Sequence, residues 1–424
     1  MPNPLIQFAQ RHRVVSAVTL SLSSLVLIMV VGFATVSVNP GLAAQGAEVL
    51  RHIIGEENVA RLETWVLGWQ DTFQSWAYRA GGDQPQAPWP TATPAPASAA
   101  PATPASTGVL SPAPVPTDTD DGQLPTPLPT ATPPPDVPRP SPTVPPTNQP
   151  AALQPMGHVP GEGVWSIYLR NPAGDPVVYR TFLQPDPERA YALAAVVAMD
   201  LTATRLHWVL GSQEPASPES LDRTGRIPAS DLKSGLLLAA FNGGFKAEHG
   251  LFGAMVNGAL VLAPRGGFGT VAMYDDGHVA IGAWGTDVFW AKGLRNWRQN
   301  GPLIVQGGQI NPHTADDSPQ DWGYTVKGDT ATWRSGLGLS ADGKTLYYLG
   351  GPYLTLPVLA QAMADTGAAN GIQLDINGYW VMFDAIQATA GGLQAVPVMD
   401  GMKNDGRYLR TFDRDFFYLT ATAN

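Results

Sequence analysis

The sequence of 424 residues contains no cysteine. That absence excludes disulfides, thiolate zinc sites and a cysteine nucleophile. Basic residues are also scarce: 25 Lys and Arg stand against 35 Asp and Glu, and they form no stripe interleaved with aromatics. Because phosphate neutralisation needs clustered Lys and Arg, we expect no nucleic-acid partner. The sequence also lacks the HExxH, GxSxG, P-loop and Rossmann patterns, so common catalytic signatures do not assign a function.

One long apolar run lies near the N-terminus. Residues 14–38 carry no charge, and Arg11 and Arg13 precede them. A helix of this length spans roughly 37 Å, more than the about 30 Å of a hydrocarbon core. The flanking arginines predict a single-pass anchor in the cell membrane with residues 1–13 in the cytoplasm and the rest outside it. The alternative is a cleaved signal peptide, with residues 41–43 as the small-residue site.

Residues 46–80 have the periodicity of an amphipathic helix. Its two faces leave three alternatives open: a helix on the membrane surface, a helix paired with a second copy of itself, or a juxtamembrane spacer. The oligomeric state is not determined by the sequence. The apolar face is formed by Leu62, Trp65, Val66, Trp69, Phe73 and Trp76, and the polar face by Glu57, Arg61, Glu63 and Asp71.

Residues 82–157 have the composition of a linker. Of the 41 prolines, 22 lie between positions 81 and 150, where Trp89 is the single aromatic and Arg139 the single basic residue. Such a segment cannot bury enough apolar surface to order itself. In polyproline II form it would reach on the order of 200 Å. We therefore expect a disordered stalk ahead of a domain at 158–424.

After Gly161 the sequence consists of short apolar runs separated by turns that contain Gly and Asp. Three hairpin turns are predicted at Asn257-Gly258, Asp276-Gly277 and Asp342-Gly343. One helix is predicted at 356–366, ended by Gly367. These features predict a strand-rich α+β domain with a mixed sheet of about ten strands and a few helices. Strands are predicted within 164–170, 177–183, 192–201, 236–244 and 371–376.

Two apolar strands end in residues suited to chemistry. Phe241 is followed by Asn242, Gly243 and Gly244, and Leu374 by Asp375, Ile376 and Asn377. The glycines allow close approach of the backbone to a ligand, and Asn242 can donate and accept hydrogen bonds. A buried carboxylate at Asp375 suits acid–base work, and the alternative is a structural Asp that caps a loop.

Further polar residues offer binding roles. Arg334 begins an apolar strand and can clamp phosphate oxygens in bidentate fashion, or it is a solvated charge. Glu248 and His249 follow the glycine turn and are candidate helpers. His313 with Asp316 and Asp317 leaves a divalent cation open, although no cofactor is indicated with certainty; the alternative is an exposed acidic loop.

Taken in order, several segments resemble the phosphodiester glycosidase family. Its members are similar to N-acetylglucosamine-1-phosphodiester α-N-acetylglucosaminidase and are related to exopolysaccharide proteins. The resemblance covers residues 236–424. It implies hydrolysis of a sugar-1-phosphodiester in an envelope or extracellular glycan. It rests on residues 239–245, 255–258, 301–304, 307–308, 334–339, 342–343, the helix at 356–366, and Leu374-Asp375.

One segment departs from the family pattern. After the aspartate, where the family has a turn of small residues and serines, this chain has Ile376, Asn377, Gly378, Tyr379 and Trp380. The two aromatics would reshape the pocket or form a stacking platform for a sugar ring. With the resemblance, Asp375 and Arg334 are the expected catalytic residues, and Glu248 joins them as a helper because of its place in the loop after the glycine turn. Expected substrate-binding residues are Asn242, Gly243 and Gly244 of the glycine turn, His249 of the loop after it, and Asn377, Tyr379 and Trp380 of the altered turn. The alternative is a non-catalytic, cell-surface glycan-binding protein on the same fold.

Overall fold

The structure is a computed structural model that describes residues 55–82, 84–89, 148–217, 221, 223–316, 319–322 and 328–422, together with Leu50 and Ile53. The expected anchor at 14–38 lies outside these ranges, as do the start of the helix predicted at 46–80 and most of the linker predicted at 82–157. Within the described ranges, no helix combines the length and apolarity needed to cross a membrane.

The largest element of the fold is an eight-stranded sheet. Its order is β1-β2-β3-β14-β13-β15-β11-β12, and each neighbouring pair is antiparallel. The strands are β1 Ser166–Arg170, β2 Pro176–Leu183, β3 Ala194–Asp200, β11 Leu303–Gln306, β12 Gln309–Ile310, β13 Thr332–Ser340, β14 Thr345–Leu354 and β15 Ala368–Ile376.

Two five-stranded antiparallel sheets complete the described strands, in the orders β17-β16-β5-β18-β4 and β7-β6-β10-β8-β9. The first contains β4 Thr204–Val209, β5 Leu237–Asn242, β16 Phe383–Thr389, β17 Gly392–Pro397 and β18 Phe416–Ala421. The second contains β6 Ala254–Val256, β7 Ala259–Leu262, β8 Gly269–Tyr274, β9 Val279–Ala283 and β10 Leu294–Gln299.

The described helices are α1 Glu56–Arg79, the single turn α2 Pro319–Trp322 and α3 Leu356–Asp365. The helix predicted at 356–366 is therefore confirmed. It begins where the Thr355 side chain accepts a hydrogen bond from the Val358 N–H at 3.4 Å, and Gly367 follows its end with φ 84°. Its buried side chains, Leu359 and Met363 among them, pack beneath the eight-stranded sheet.

The α+β class is confirmed, and so are the three hairpins. At the first turn, Asn257 and Gly258 both have positive φ, 49° and 80°, as a two-residue turn of this kind requires. Among the described strands every ladder is antiparallel, which differs from the mixed sheet expected. Tight turns account for the sequential pairs such as β13–β14, whereas pairs such as β3–β14 join strands that are distant in the sequence, and no local pattern sets their direction.

A shared core lies where the sheets face one another. Phe182 and Leu337 of the large sheet and Phe241 and Phe417 of the first small sheet belong to one buried cluster, and Val271 joins it from the other small sheet. Phe241 stacks on Phe383 and Phe417 at 5.5 Å between ring centroids. This packing fixes the C-terminal ends of β5 and β15, from which the candidate site is built.

Both described ends of the proline-rich segment pack on the domain. Trp89 is buried, with its ring 6.0 Å from that of Phe182 and 4.4 Å from the Arg180 guanidinium carbon. At the other end, Asn148 donates to Asp200 at 2.8 Å. The chain on either side of residues 90–147 thus contacts one and the same body.

Candidate functional site

The two polar strand ends singled out in the sequence meet in space. The Asp375 N–H at the end of β15 donates to the Gly243 carbonyl after β5, at 3.0 Å. The strands belong to different sheets, so this bond joins the large sheet to the first small sheet. The glycine turn and the aspartate therefore form one locus.

The Asp375 side chain is enclosed and held by a cation. It is 9% exposed, and its Oδ2 accepts a hydrogen bond from Arg414 Nη2 at 2.5 Å. Its Oδ1 accepts from the Ile376 N–H at 3.0 Å. Burial raises the pKa of Asp375 to about 6, while the positive charge of Arg414 acts in the opposite direction. The carboxyl group therefore titrates close to neutral pH.

Arg414 connects Asp375 to both motifs. It donates to the Gly244 carbonyl at 2.9 Å, and its guanidinium lies 4.5 Å from the Trp380 ring centroid. Its Nε is buried with no hydrogen-bond partner among the described residues. The aromatic turn after Asp375 thus supports the arginine that holds the carboxylate.

A second buried ion pair lies beside the first. Arg298 Nε on β10 donates to Asp415 Oδ2 at 2.9 Å, and both side chains are almost fully buried. The same oxygen accepts from Trp208 Nε1 at 3.1 Å and from the Gly244 N–H at 3.3 Å. Asp415 Oδ1 has no hydrogen-bond partner in the part of the chain described. Two carboxylates and two guanidiniums therefore surround the glycine turn.

Sequence reasoning missed Arg298, Arg414 and Asp415. A signal was present for the last two, because they directly precede the apolar strand β18, and the strand-end criterion that identified Asp375 applies equally at a strand start. Arg298 lies inside strand β10. Nothing in the neighbouring sequence distinguishes it from an arginine whose side chain faces solvent. Only tertiary contacts identify it.

The glycines serve close packing. A Cβ on Gly243 would lie 2.3 Å from Asp415 Oδ2 and 2.7 Å from the Asp415 backbone oxygen. A Cβ on Gly244 would lie 3.1 Å from Asn300 Oδ1 and 3.2 Å from the Arg298 guanidinium. A side chain at Gly243 therefore requires Asp415 to move, whereas at Gly244 the contacts are tight and the neighbouring side chains would have to shift slightly. A direct role in substrate binding stays a prediction.

Asn242 is buried in an internal hydrogen-bond network. Its amide donates to Ser335 Oγ at 2.9 Å, and its Oδ1 accepts from Tyr348 Oη at 3.0 Å and the Met382 N–H at 3.1 Å. Ser335 in turn donates to the Asp375 carbonyl at 2.7 Å. In this geometry Asn242 positions the end of β15, and direct substrate binding by it stays a prediction.

Arg334 does not have the expected setting. It is fully buried, and its guanidinium donates to the Leu354 carbonyl at 2.9 Å and to Gln373 Oε1 at 2.9 Å. It also donates to the Thr330 carbonyl at 3.1 Å. Burial lowers the pKa of Arg334 to about 9, so it stays cationic at neutral pH. The solvated arginine is excluded, and the arginine at the Asp375 carboxylate is Arg414 rather than Arg334.

Glu248 and His249 lie on a short 3₁₀ turn, Ala247–His249, after the glycine motif. The Glu248 side chain is 50% exposed and lies 3.3 Å from Lys246 Nζ and 3.6 Å from His249 Nε2. Glu248 thus has solvent access that Asp375 lacks. Its role as a helper stays a prediction.

The turn after Asp375 is held in a fixed shape. Asn377 has φ 84°, and its side chain accepts from the Tyr379 N–H at 2.8 Å. The Tyr379 ring contacts Trp380 edge to face at 4.5 Å, and Arg407 lies 4.5 Å from the Tyr379 ring. Both aromatic residues are partly exposed. The turn therefore presents aromatic surface next to the ion pairs.

The divalent-cation site suggested at His313 has few possible ligands in the structure. His313 Nδ1 and Asp316 Oδ2 lie 2.7 Å apart on an exposed turn, and Asp317 lies outside the described residues. Among the described residues, no cluster of three or more His, Asp or Glu side chains has the arrangement of a metal site.

An apolar wall adjoins the carboxylate. Ile376 is buried with Phe245 and Phe252, and Leu67 of α1 packs against these three residues. The helix therefore reaches the immediate surroundings of Asp375. This contact was not expected from the sequence, in which a long linker separates helix and domain.

Comparison with known proteins supports the class of domain that this site and fold define. Residues 237–375 match the model of the phosphodiester glycosidase family, from the first residue of β5 to Asp375. This match confirms the resemblance that the motifs indicated. The aromatic turn, Arg414 and Asp415 lie beyond the matched segment. No curated protein matches the chain.

Solved structures include distant similarities. The catalytic domain of zebrafish N-acetylglucosamine-1-phosphodiester α-N-acetylglucosaminidase, auto-inhibited by its pro-peptide, aligns at 15% identity with a TM-score of 0.38, covering 61% of this chain and 88% of that one. A hypothetical protein from Synechocystis aligns at 10% identity with a TM-score of 0.37, covering 58% of this chain and 63% of its own, which is less than two thirds. A protein from Burkholderia pseudomallei K96243 aligns at 12% identity with a TM-score of 0.34, covering 55% and 74%.

Proposed function

We propose that this chain is an exported hydrolase that cleaves a sugar-1-phosphodiester bond in an envelope or extracellular glycan, and that residues 14–38 attach it to the cell membrane. The observation that carries the proposal is the Asp375–Arg414 pair at the end of the segment matching the phosphodiester glycosidase family. A carboxylate and a guanidinium beside a glycine turn are the groups that glycosyl phosphate chemistry requires.

The proposed reaction breaks the bond between the anomeric carbon and the phosphate oxygen. Water supplies a hydroxyl group to the anomeric carbon and a proton that is released, while the phosphate leaves as a monoester still carrying the second alcohol. Phosphate is a good leaving group, so the reaction needs little acid assistance. A single activating carboxylate then suffices at the sugar.

Asp375 is the proposed carboxylate. With a pKa near 6 it is ionised at neutral pH, and it can accept a proton from the attacking water or stabilise positive charge at the anomeric carbon. The burial that raises its pKa also makes it a stronger base than an exposed aspartate. Activity is therefore expected to rise as the pH increases through about 6.

Arg414 is the proposed phosphate contact. Negative charge accumulates on the leaving phosphate, and a preorganised cation in an enclosed site stabilises it. One Arg414 nitrogen is committed to Asp375, whereas its Nε has no hydrogen-bond partner in the described residues and can donate to a phosphate oxygen. The Arg298–Asp415 pair next to it holds the glycine turn.

The remaining predicted residues have supporting roles in this proposal. The half-exposed Glu248 and its neighbour His249 are the proposed helpers in water delivery. Tyr379 and Trp380 are the proposed platform for a sugar ring, with Asn377 holding their turn. Arg334 is proposed to act through the packing of β13 and not by touching phosphate.

The test measures hydrolysis of a panel of sugar-1-phosphodiesters by the purified full chain. Asp375→Asn is expected to lower kcat about 100-fold or more, the usual contribution of a general base. Asp276→Asn, at an exposed hairpin turn, is the matched control and should leave kcat unchanged. Full activity in Asp375→Asn would refute the assignment.

A non-catalytic glycan-binding function is the second candidate. It is favoured by the enclosure of Asp375 together with the partly exposed aromatic pair that replaces small residues in the turn. It predicts calorimetric binding of a glycan phosphodiester that Trp380→Ala weakens, with no turnover in any sample of the folded chain. Turnover that Asp375→Asn removes would exclude it.

A further inference from the structure

A small cavity lies between the connection from β4 to β5 and the connection from β17 to β18. Its volume is about 190 Å³. Sites that enclose a whole small molecule usually measure about 300–1,000 Å³, so this cavity suits a single sugar or phosphate unit. The described residues that line it are Arg226, Ile227, Leu232, Tyr408, Leu409 and Arg410, and none of them is acidic.

The floor of this cavity is apolar and belongs to the core of the first small sheet. Ile227 and Tyr408 are buried in a hydrophobic cluster that also contains Phe416 of β18. Leu232 and Leu409 are partly buried and pack against the same cluster. The apolar face of a sugar ring can pack on such a surface, which the core holds in place.

The rim of the cavity carries two arginines on neighbouring segments. Arg226 Nε donates to Thr411 Oγ1, in the residue that follows Arg410. The backbone fixes the same pairing, because the Phe412 N–H donates to the Gly225 carbonyl at 2.9 Å. Both arginines are exposed, and neither has an ion-pair partner among the described residues. Two neighbouring cations repel each other, so the cavity favours an anion that removes this repulsion.

A short row of aromatic rings connects the cavity to the candidate site. The Tyr408 ring lies 5.6 Å from that of Phe412, and the Phe412 ring lies 6.4 Å from that of Trp380. Trp380 in turn lies against the guanidinium of Arg414, the proposed phosphate contact. One ring, that of Phe412, therefore lies between the cavity and the proposed sugar platform.

This order of groups fits a substrate that carries more than one phosphate. In a polymer of sugars joined by phosphodiesters, each sugar lies between two phosphates. With the anomeric phosphate at Arg414 and its sugar on Trp380, a chain that continues over Phe412 brings a phosphate one or two sugars further on to the cavity. An acidic peptide would satisfy the arginines, but the contact with the sugar platform favours the glycan.

We propose that the Arg226–Arg410 cavity binds a second phosphate of the substrate, and that the substrate is a polymer of phosphodiester-linked sugars. The inference rests on the hydrolase function proposed above and names its substrate class. Because the cavity lies apart from Asp375, it contributes to the binding of the polymer and leaves the rate of bond cleavage unchanged.

The test compares two kinds of substrate on the purified full chain. One is the methyl diester of a hexose 1-phosphate, and the other is a three-repeat oligomer of the same unit, each prepared with glucose, mannose and N-acetylglucosamine. Arg226→Gln combined with Arg410→Gln is expected to raise KM for the oligomer about fivefold to tenfold, since two exposed ion pairs are lost. Both kcat and the KM for the methyl diester should stay unchanged. Arg170→Gln combined with Lys292→Gln removes two exposed cations elsewhere and is the matched control.

A binding measurement makes the result independent of turnover. Calorimetry on the same variants uses an oligomer in which a methylene group replaces the oxygen at each anomeric carbon, so that it cannot be hydrolysed. The variant without the two cavity arginines should bind this oligomer about fivefold to tenfold more weakly than wild type. The difference should shrink at high ionic strength, because salt screens exposed charges. Polyglutamate is the control anion and should bind both proteins equally.

The outcomes separate the inference from the hydrolase function. Equal KM changes for oligomer and methyl diester, or no change for either, would overturn the inference and leave the hydrolase standing. Polyglutamate binding that falls as much as oligomer binding would show a general anion surface and also overturn it. Oligomer binding that depends on the two arginines, without turnover of any substrate, would support the cavity and refute the hydrolase. Absence of both binding and turnover would refute both.

Discussion

Arginine is buried both beside the glycine turn and on β13, and these two regions stabilise the buried cation differently. Beside the glycine turn, Arg298 and Arg414 each meet a buried carboxylate. On β13, Arg334 donates to backbone carbonyls and to the Gln373 side-chain oxygen, and the carboxylate that acts on it, Asp329, does so by charge alone among the contacts described. Among these arginines, Arg414 has a nitrogen, Nε, without a hydrogen-bond partner in the described residues, so it can add a contact to substrate without giving up Asp375. From this difference we expect Arg334 to matter chiefly for folding and Arg414 chiefly for turnover.

The largest expected effect comes from removing the two arginines in turn. Arg334→Met leaves several buried carbonyls without a donor, and we expect it to lower the free energy of unfolding by about 3–5 kcal/mol or to prevent folding. Arg414→Met is expected to be less destabilising, because the pKa of Asp375 then rises further and the acid becomes neutral. It should nevertheless abolish turnover of a sugar-1-phosphodiester.

Urea unfolding and kinetics on the same two variants decide between these roles. Arg334→Lys is the companion variant and should recover part of the stability, since it restores a cation but not the fork of donors. An Arg334→Met variant with normal stability and no activity would show instead that Arg334 acts in the substrate site.

The second effect concerns the glycine turn between the ion pairs. Gly243→Ala would place its Cβ 2.3 Å from Asp415 Oδ2, so we expect a loss of about 1–3 kcal/mol in unfolding free energy together with lower kcat. Gly266→Ala is the control, since a Cβ there meets nothing within 4 Å. Equal thermal stability of the two variants would contradict the packing described.

A third prediction contrasts paired and unpaired carboxylates. Asp384 on β16 is fully buried, and neither of its oxygens has a hydrogen-bond partner among the described residues. Burial raises its pKa to about 7, partly offset by Arg407. The folded state therefore binds this proton more tightly than the unfolded state, whose carboxyl has a pKa of about 3.9, so stability falls as the pH rises from about 4 to 7.

Asp384→Asn should remove most of that fall, which corresponds to on the order of 4 kcal/mol at neutral pH. Denaturant unfolding at several pH values measures it as the difference between wild type and variant. The difference isolates Asp384 from Asp375, whose raised pKa acts in the same direction. It also removes the contribution of His207, whose pKa burial lowers to about 4 and which acts in the opposite direction. Parallel curves for wild type and variant would refute the assignment.

Local sequence patterns were sufficient for much of the fold. Turn dipeptides identified the hairpins because positive φ at Asn257-Gly258 depends on the turn residues themselves. The polar ends of β5 and β15 were identified as candidates one by one, but the contact between Gly243 and Asp375 was not predicted. The number of strands was underestimated. The two-residue strand β12 is too short for a periodicity to register, whereas the missed strands β4 and β18 have six residues each.

The parts that sequence did not predict depend on distant contacts. The pairing of Arg414 with Asp375 joins the segment before β18 to β15, two strands of different sheets, which no local pattern reports. The amphipathic pattern of α1 correctly marks an apolar row, but burial of that row does not follow from it. Asp71 on the other side binds Arg189, more than a hundred positions away, and that polar contact decides which face is covered.

The smallest expected effect tests this last contact. Asp71→Asn removes the charge that holds Arg189 and weakens the hydrogen bond from Tyr191, so we expect a loss of about 1–2 kcal/mol in the docking of α1. Amide exchange in α1 should become faster while exchange in β13–β15 stays unchanged, because the helix contributes only Leu67 to the wall beside that sheet. Arg79→Gln, exposed at the other end of the same helix, should leave exchange in α1 as it is. If Asp71→Asn instead lowers protection from amide exchange equally in the helix and the sheets, α1 unfolds together with the domain. The contact through Asp71 is then part of the cooperative core and not a separable attachment of the helix.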